Sequence, residues 1–147
     1  MKIPLLLALV GLAISFALPT FGQQRSTVDP AVRQGIEAVL TKFGDAFNKR
    51  DAAAMADLYT QEAVQVWTWV PTDEAVASGR QAIEKRYKVM LSSSPGTFTG
   101  EIVDAYAIGN DICVVTKDVE GTMWKGYKVW ICVPDADTWK IRMEYVN

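Results

Sequence analysis

The alternation of apolar and charged side chains near the end of the chain narrows the possible folds most. Residues 139–145, with the sequence WKIRMEY, alternate throughout. Successive side chains of a β-strand point to opposite faces, so a period of two predicts a strand with one dry and one wet face. The dry face would hold Trp139, Ile141, Met143 and Tyr145, and the wet face Lys140, Arg142 and Glu144. The chain should therefore end in a sheet that buries aromatic side chains.

Further strand-like segments precede this one. The predicted strands cover residues 63–70, 97–108, 112–120, 124–133 and 138–146. Short glycine- or proline-containing turns separate the last four, and connections this short favour antiparallel neighbours.

Three segments have the pattern of helices. Asp29 is the expected N-cap of the first, with Pro30 in its first turn. Its apolar stripe consists of Val32, Ile36, Val39, Leu40, Phe43 and Phe47. A short second helix, expected to begin after Asp51, would carry Met55, Leu58 and Tyr59. A third begins at Gly79-Arg80 and presents Ile83, Tyr87, Met90 and Leu91. Together these elements predict an α+β fold, a cone in which three N-terminal helices pack on a curved antiparallel sheet.

The first 22 residues have the pattern of a secretory signal peptide. A lysine is followed by an almost wholly apolar run over residues 4–18, and small residues precede a cleavage site before Gln23. An uncleaved membrane anchor is the alternative, but the run is shorter than the roughly 20 residues a span needs. The sequence thus predicts a periplasmic or secreted domain over residues 23–147, not attached to a membrane after cleavage.

Composition excludes several classes of function. The chain has no histidine, which removes the commonest general base and the commonest metal ligand. With only two cysteines, a zinc site is not expected, and no other metal or cofactor is predicted. The net charge is −2 and basic residues are scattered among acidic ones, so no nucleic-acid partner is expected.

Five short motifs occur in the order typical of one known superfamily. They lie at residues 43–51, 58–64 (LYTQEAV), 79–83 (GRQAI), 109–111 (GND) and 139–142 (WKIR). With them, the chain over residues 32–146 resembles the SnoaL-like branch of the NTF2-like superfamily, which includes the ketosteroid isomerases. The resemblance implies a cystatin-like cone with a ligand cavity and a homodimer paired through the open sheet face. It does not by itself imply an activity.

The resemblance also shows what is missing. The positions of the proton-moving Asp and the two oxyanion donors of ketosteroid isomerases hold Trp67, Phe43 and Trp130 in this chain. None of these can shuttle a proton at neutral pH. The ketosteroid isomerase mechanism is therefore not expected.

If Trp67 and Trp130 occupy those pocket positions, the cavity has aromatic walls. Strand phase adds Gln65, Trp69, Lys128 and Cys132 to the same faces. Such walls suit a flat apolar or aromatic ligand. Tyr59 and Tyr106 could donate hydrogen bonds into the pocket. The alternative is that these side chains simply fill the cone as core.

Charged residues give less definite indications. Lys117 and Lys128 could lie together and favour an anionic ligand, or they could sit at the rim in water. The carboxylates considered as general bases are Asp45, Asp57, Glu62, Asp104 and Asp118. All five are expected to be solvated surface charges, so no catalytic residue is assigned.

The two cysteines are candidates for a disulfide. A two-residue turn at Thr122-Met123 would place Cys113 directly opposite Cys132, within bridging distance. An exported protein could form this bond. A register shift of one residue would instead place the thiols on opposite faces.

Three functions remain open from sequence. The favoured one is an exported protein that binds a small apolar or aromatic molecule through Trp67, Trp130, Tyr59, Gln65, Trp69 and Lys128. The second is a SnoaL-like isomerase, cyclase or dehydratase that uses a carboxylate. The third is an interaction module with a filled cone.

Overall fold

The computed structural model describes residues 28–93, 96–120 and 126–147. The predicted signal peptide lies outside these residues. The described helices are α1 (Pro30–Asn48), α2 (Ala52–Ala56) and α3 (Arg80–Ser93). The described strands are β1 (Tyr59–Trp67), β2 (Val76–Ser78), β3 (Thr99–Ile108), β4 (Asp111–Glu120), β5 (Tyr127–Asp135) and β6 (Thr138–Val146). The predicted α+β class is confirmed.

The six strands form one sheet in the order β2-β1-β6-β5-β4-β3. All neighbouring pairs are antiparallel except β1 and β6, which are parallel. Two details of the predicted cone are therefore corrected. The sheet is mixed rather than antiparallel, and α3 follows β1 and β2, so that only α1 and α2 precede the sheet. The short strand β2, which is not among the predicted strands, pairs with β1 through residues 76–78.

Local sequence signals account for the starts of the first two helices. The Asp29 carboxylate accepts a hydrogen bond from the backbone N–H of Ala31 at 2.8 Å, and Pro30 lies in the first turn, where its missing N–H costs nothing. The Asp51 carboxylate accepts from the N–H of Ala54 at 2.9 Å. Helix α2 ends at Ala56, so the predicted helical residues Leu58 and Tyr59 leave it, and Tyr59 begins β1.

The core lies between the helices and one face of the sheet, here called the inner face. The α1 stripe packs there, with the Phe43 ring 5.1 Å from the Phe98 ring and 5.3 Å from Trp130 between centroids. Four buried polar or charged residues also lie in this interior: Gln65, Thr116, Lys128 and Glu144. Burying such groups is costly unless they are paired, so their partners indicate what the interior is built for.

A β-bulge reverses the alternation of β6. Ile131 pairs with Met143 and Cys132 pairs with Ile141, so Arg142 is an extra residue with no partner position of its own on β5. Ile141 is buried before the bulge, whereas Glu144 is buried after it. Met143 and Tyr145 are 39% and 38% exposed. The predicted dry face is therefore wrong beyond Ile141, and Glu144 points inward instead of into water.

The predicted register of the cysteines is wrong by one residue. Cys113 pairs with Ile131, and Cys132 pairs with Ile112. Adjacent positions on a strand face opposite ways, so the thiols lie on opposite faces of the sheet. Both cysteines are free, and the predicted disulfide is absent. Cys132 is buried and Cys113 is half-buried.

Candidate functional site

Glu144 is the centre of a buried hydrogen-bond network. Its Oε2 atom accepts from the Tyr59 hydroxyl at 2.8 Å, the Tyr87 hydroxyl at 3.1 Å and the Gln65 amide at 2.5 Å. Its Oε1 atom accepts from the Trp130 indole N–H at 3.1 Å. All five side chains are at most 1% exposed. Four donors thus stabilise a carboxylate in a position that water does not reach.

Distant elements bring this network together. Tyr59 and Gln65 come from β1, Tyr87 from α3, and Trp130 from β5. Gln65 also donates to the Tyr87 hydroxyl at 2.8 Å, and the two tyrosine hydroxyls lie 2.6 Å apart. Tyr59, Gln65 and Trp130 were predicted pocket residues, whereas Tyr87 and Glu144 were not. Tyr87 was assigned to the helix core, and the β6 bulge hides the inward direction of Glu144.

The two tyrosines act as donors in this network. Burial raises the pKa of both hydroxyls well above the ordinary value, and the nearby negative charge of Glu144 raises it further. Both therefore remain protonated at neutral pH, which suits them to hold the carboxylate in place. They are not suited to act as proton acceptors.

A second charged pair lies elsewhere on the inner face. The Lys128 ammonium lies 3.0 Å from the Asp118 carboxylate, and both side chains are only 2% exposed. The ammonium also lies 4.2 Å from the centre of the Phe98 ring. Burial lowers the pKa of Lys128, and the charges of Asp118 and Glu144 oppose that shift. Beside this pair, the buried Thr116 hydroxyl has no hydrogen-bond partner within the described residues.

This pair corrects two predictions about charge. Asp118 was expected in water, but its side chain is buried. Lys117 does not join Lys128, because neighbouring positions on β4 point its side chain the other way, where it pairs with Glu101 at 2.6 Å. The other four carboxylates considered differ in burial: Asp45, Asp57 and Glu62 are exposed, and Asp104 is half-buried. Asp104 accepts a hydrogen bond from Tyr106, so that hydroxyl is engaged on β3.

A surface groove lies beside α3 and β2, separate from the Glu144 network. Its volume is about 720 Å³. The residues whose side chains give it an apolar character include Trp67, Trp69, Val76, Ala82, Val89 and Met90. Glu74, Lys85 and Arg86 are its charged residues. We call it the tryptophan groove.

Two stacked indoles form the aromatic part of this groove. The Trp67 and Trp69 rings lie 4.8 Å apart between centroids, inclined by 22°. Trp67 is 6% exposed and Trp69 is 43% exposed. Strand phase predicted that Trp69 would share the inward face of Trp67, and this is wrong because β1 ends at Trp67. Trp69 instead lies at the surface.

Arg86 connects the groove to the buried network. Its guanidinium carbon lies 4.8 Å from the centre of the Trp67 ring. One guanidinium nitrogen lies 3.4 Å from the side-chain oxygen of Gln65, whose amide nitrogen binds Glu144. The six residues predicted for one pocket therefore divide among three places: the tryptophan groove, the Glu144 network and the Lys128–Asp118 pair.

A second groove, of about 550 Å³, lies between α1 and the start of β3. Its lining includes Arg33, Glu37, Asp45, Asn48 and Glu101, so it is more polar than the tryptophan groove. In the described parts of the chain, no cluster of three or more carboxylate or thiol side chains is placed to hold a metal ion. No helix among the described residues is both long and apolar enough to cross a membrane.

A sheet curved around a helix-packed core defines this chain as an NTF2-like, or cystatin-like, α+β protein. The family model of the SnoaL-like domain matches residues 40–146 of the sequence. The chain therefore belongs to that family. The resemblance inferred from the motifs is thus confirmed. No curated protein matches the sequence.

Solved structures support the same fold. A protein of unknown function from Mycobacterium tuberculosis superimposes with a TM-score of 0.67 at 14% identity, covering 81% of this chain and 75% of that one. An NTF2-like protein of unknown function from Shewanella baltica superimposes with a TM-score of 0.62 at 14% identity, covering 79% of this chain and 92% of that one. A ketosteroid isomerase-like protein from Erwinia carotovora atroseptica superimposes with a TM-score of 0.61 at 17% identity, covering 77% of this chain and 92% of that one. At these identities the likeness concerns the fold alone.

Proposed function

We propose that this protein binds a small, mostly apolar or aromatic molecule in the tryptophan groove. The observation that carries the proposal is an open, largely apolar groove of about 720 Å³ with two stacked indoles. Sites for small molecules are typically concave, apolar and roughly 300–1,000 Å³ in volume, with a few polar groups that fix orientation. Export to the periplasm or beyond remains part of this proposal, from the sequence pattern of residues 1–22.

The Glu144 network supports the groove, rather than the interior, as the binding place. The side chains around Glu144 are buried and occupied with one another, so a ligand there would have to displace hydrogen bonds. Trp69, in contrast, presents 43% of its surface without any rearrangement. The carboxylate lines neither described groove, and this favours binding over proton-transfer catalysis.

Replacing Trp69 with alanine tests the proposal. We expect Trp69→Ala to weaken binding of a neutral aromatic probe, 2-naphthol, about tenfold, because stacking and buried area are lost. Isothermal titration calorimetry measures the affinity, and circular dichroism checks the fold. Trp69 is preferable to Trp67, whose burial makes Trp67→Ala a test of folding as well.

Tyr127→Ala is the matched control, since Tyr127 is an aromatic residue 57% exposed on β5 and absent from the groove lining. Equal affinities of the wild type and Trp69→Ala would contradict the proposed site. The same would follow if Tyr127→Ala lowered affinity as much as Trp69→Ala.

We also propose that two copies of the chain pair through the outer face of the sheet. The pairing register aligns six apolar residues there, here called the outer patch: Cys113, Val115, Val129, Ile131, Met143 and Tyr145. All six are half-buried or exposed in the single chain, and a contiguous apolar patch of this kind favours association. Sedimentation equilibrium should give a dimer mass for the wild type and a monomer mass for Tyr145→Glu. Val89→Glu, on α3, should remain dimeric, and a monomeric wild type would contradict the proposal.

A further inference from the structure

Arg86, like Arg50 and Lys140, contacts backbone carbonyls rather than a carboxylate, whereas six other cations form ion pairs. Arg33, Arg80, Lys88, Lys117, Lys128 and Arg142 each lie within 4.0 Å of a carboxylate oxygen. Arg86 forms no such ion pair with any residue in the described ranges, although it is half-buried. Its positive charge lies on the wall of the tryptophan groove.

Neutral groups hold the Arg86 side chain in place. One guanidinium nitrogen donates to the Glu74 carbonyl at 2.5 Å, and the other lies 3.4 Å from the carbonyl oxygens of Gln65 and Ala75. The Trp67 ring packs against the same guanidinium. These contacts fix its position and orientation without cancelling its charge. A guanidinium ordered in advance loses little conformational entropy when it binds a ligand.

The charges around Arg86 leave it available to an anion. Glu74 and Lys85 line the same groove. With Arg86, they give the groove lining a net charge of +1. Glu144 attracts Arg86 from the interior through the intervening Gln65 amide, but it does not contact the guanidinium. Burial lowers the pKa of Arg86, and the nearby charges of Glu144 and Glu74 oppose that shift.

We infer that the ligand of the tryptophan groove is an aromatic or alicyclic acid whose carboxylate is bound by Arg86. This inference rests on the proposed function and specifies its ligand class. The ring would lie against Trp69 and the apolar side chains of the groove, and the carboxylate would face the guanidinium. Arginine suits this role because its planar fork matches the two oxygens of a carboxylate.

Two probes with the same ring system test the inference. 2-Naphthoate carries a carboxylate, and 2-naphthamide presents a neutral group of similar shape. By calorimetry at low salt, we expect wild-type protein to bind naphthoate about tenfold more tightly than the amide, since charge-assisted hydrogen bonds contribute at least that much. Arg86→Gln should remove most of this preference while retaining the affinity for the amide. Lys88→Gln is the matched control, because Lys88 lies on α3 outside the groove lining, and it should keep the preference.

The outcomes separate this inference from the proposed function. If the wild type binds both probes equally, the acid is not selected, and the inference fails while the groove remains a binding site. If naphthoate is still preferred by a folded Arg86→Gln variant, Arg86 is not the selecting residue. If neither probe nor 2-naphthol binds, the proposed function fails and the inference fails with it. The comparison of probes on the wild type requires no variant to fold.

Discussion

Glu144 has a carboxylate in a dry interior, and its two oxygens depend on four surrounding donors. A carboxylate accepts at several positions, whereas an amide has one accepting oxygen and places N–H groups at the other end. In Glu144→Gln, some of the buried donors would therefore lose their acceptor. The network is built to hold a carboxylate at this point.

We expect Glu144→Gln to lower the free energy of unfolding by about 3 kcal/mol, the magnitude typical of breaking buried charged hydrogen bonds. Urea unfolding followed by fluorescence measures it. Glu101→Gln is the control, because Glu101 pairs with Lys117 at an exposed position and should cost less than about 1 kcal/mol. Equal losses in the two variants would show that the Glu144 network does not stabilise the fold.

At the level of elements, the bulge at Arg142 determines which side chains β6 presents. It turns Glu144 into the core and directs Met143 and Tyr145 to the outer patch. The Arg142 side chain itself points outward and pairs with Asp111 at 2.5 Å. The backbone position of Arg142 thus matters more than its charge. One inserted residue links the buried network to the proposed dimer surface.

Deleting Arg142 tests what the bulge contributes. Without the extra residue, Ile141 and Met143 become consecutive, and the side-chain period of two keeps Ile141 inward, Met143 outward and Glu144 inward. We therefore expect the deletion to retain cooperative thermal unfolding, measured by calorimetry. Arg142→Ala, which keeps the bulge and loses only a surface ion pair, should also retain it with a small shift in Tm. A deletion variant that unfolds without cooperativity would show that the strand requires the extra residue.

A comparison of several elements shows how far the sequence predicts this structure. The apolar stripe of α1 and the N-caps Asp29 and Asp51 depend on residues that are close in sequence. These predictions are confirmed by the structure. The inward turn of Glu144 depends on one unpaired residue, and alternation alone gives the opposite face. The cysteine register depends on a turn whose length fixes every cross-strand partner, so a one-residue error reversed its outcome. The groove requires Trp69 to leave the strand, and this was not encoded in any pattern of period two.

At the scale of the whole molecule, alkaline pH should lower stability, because several buried acidic groups keep their protons to higher pH in the folded chain than in the unfolded chain. Burial raises the pKa of the Cys132 thiol from 9.0 to about 12 and raises those of Tyr59 and Tyr87 above 10.0. The unfolded chain loses these protons at lower pH than the folded chain. Above pH 9 the native state therefore binds more protons than the unfolded state, and its stability falls as pH rises.

The ionisation of Lys128 changes stability with pH in the opposite direction. Its pKa is lowered in the folded protein, so between that pKa and 10.5 the unfolded chain binds more protons, and this raises stability with pH. One base acts against three buried acids. The three acids together should outweigh it once the two tyrosines ionise in the unfolded chain, so the free energy of unfolding should decline most clearly above about pH 10.

We expect Cys132→Ala to reduce the slope of this decline between pH 9 and 11, by up to about 1.4 kcal/mol per pH unit for one proton. Urea unfolding at intervals of half a pH unit, in the presence of a reductant, measures the slope. Cys113→Ala is the matched control, because the pKa of that half-buried thiol is raised less strongly and its removal should change the slope less. An unchanged slope in Cys132→Ala would mean that the Cys132 thiol is reached by water in the native state, contrary to its position on the inner face. A loss of slope in Cys113→Ala instead would place the two thiols on the faces opposite to those of the present register.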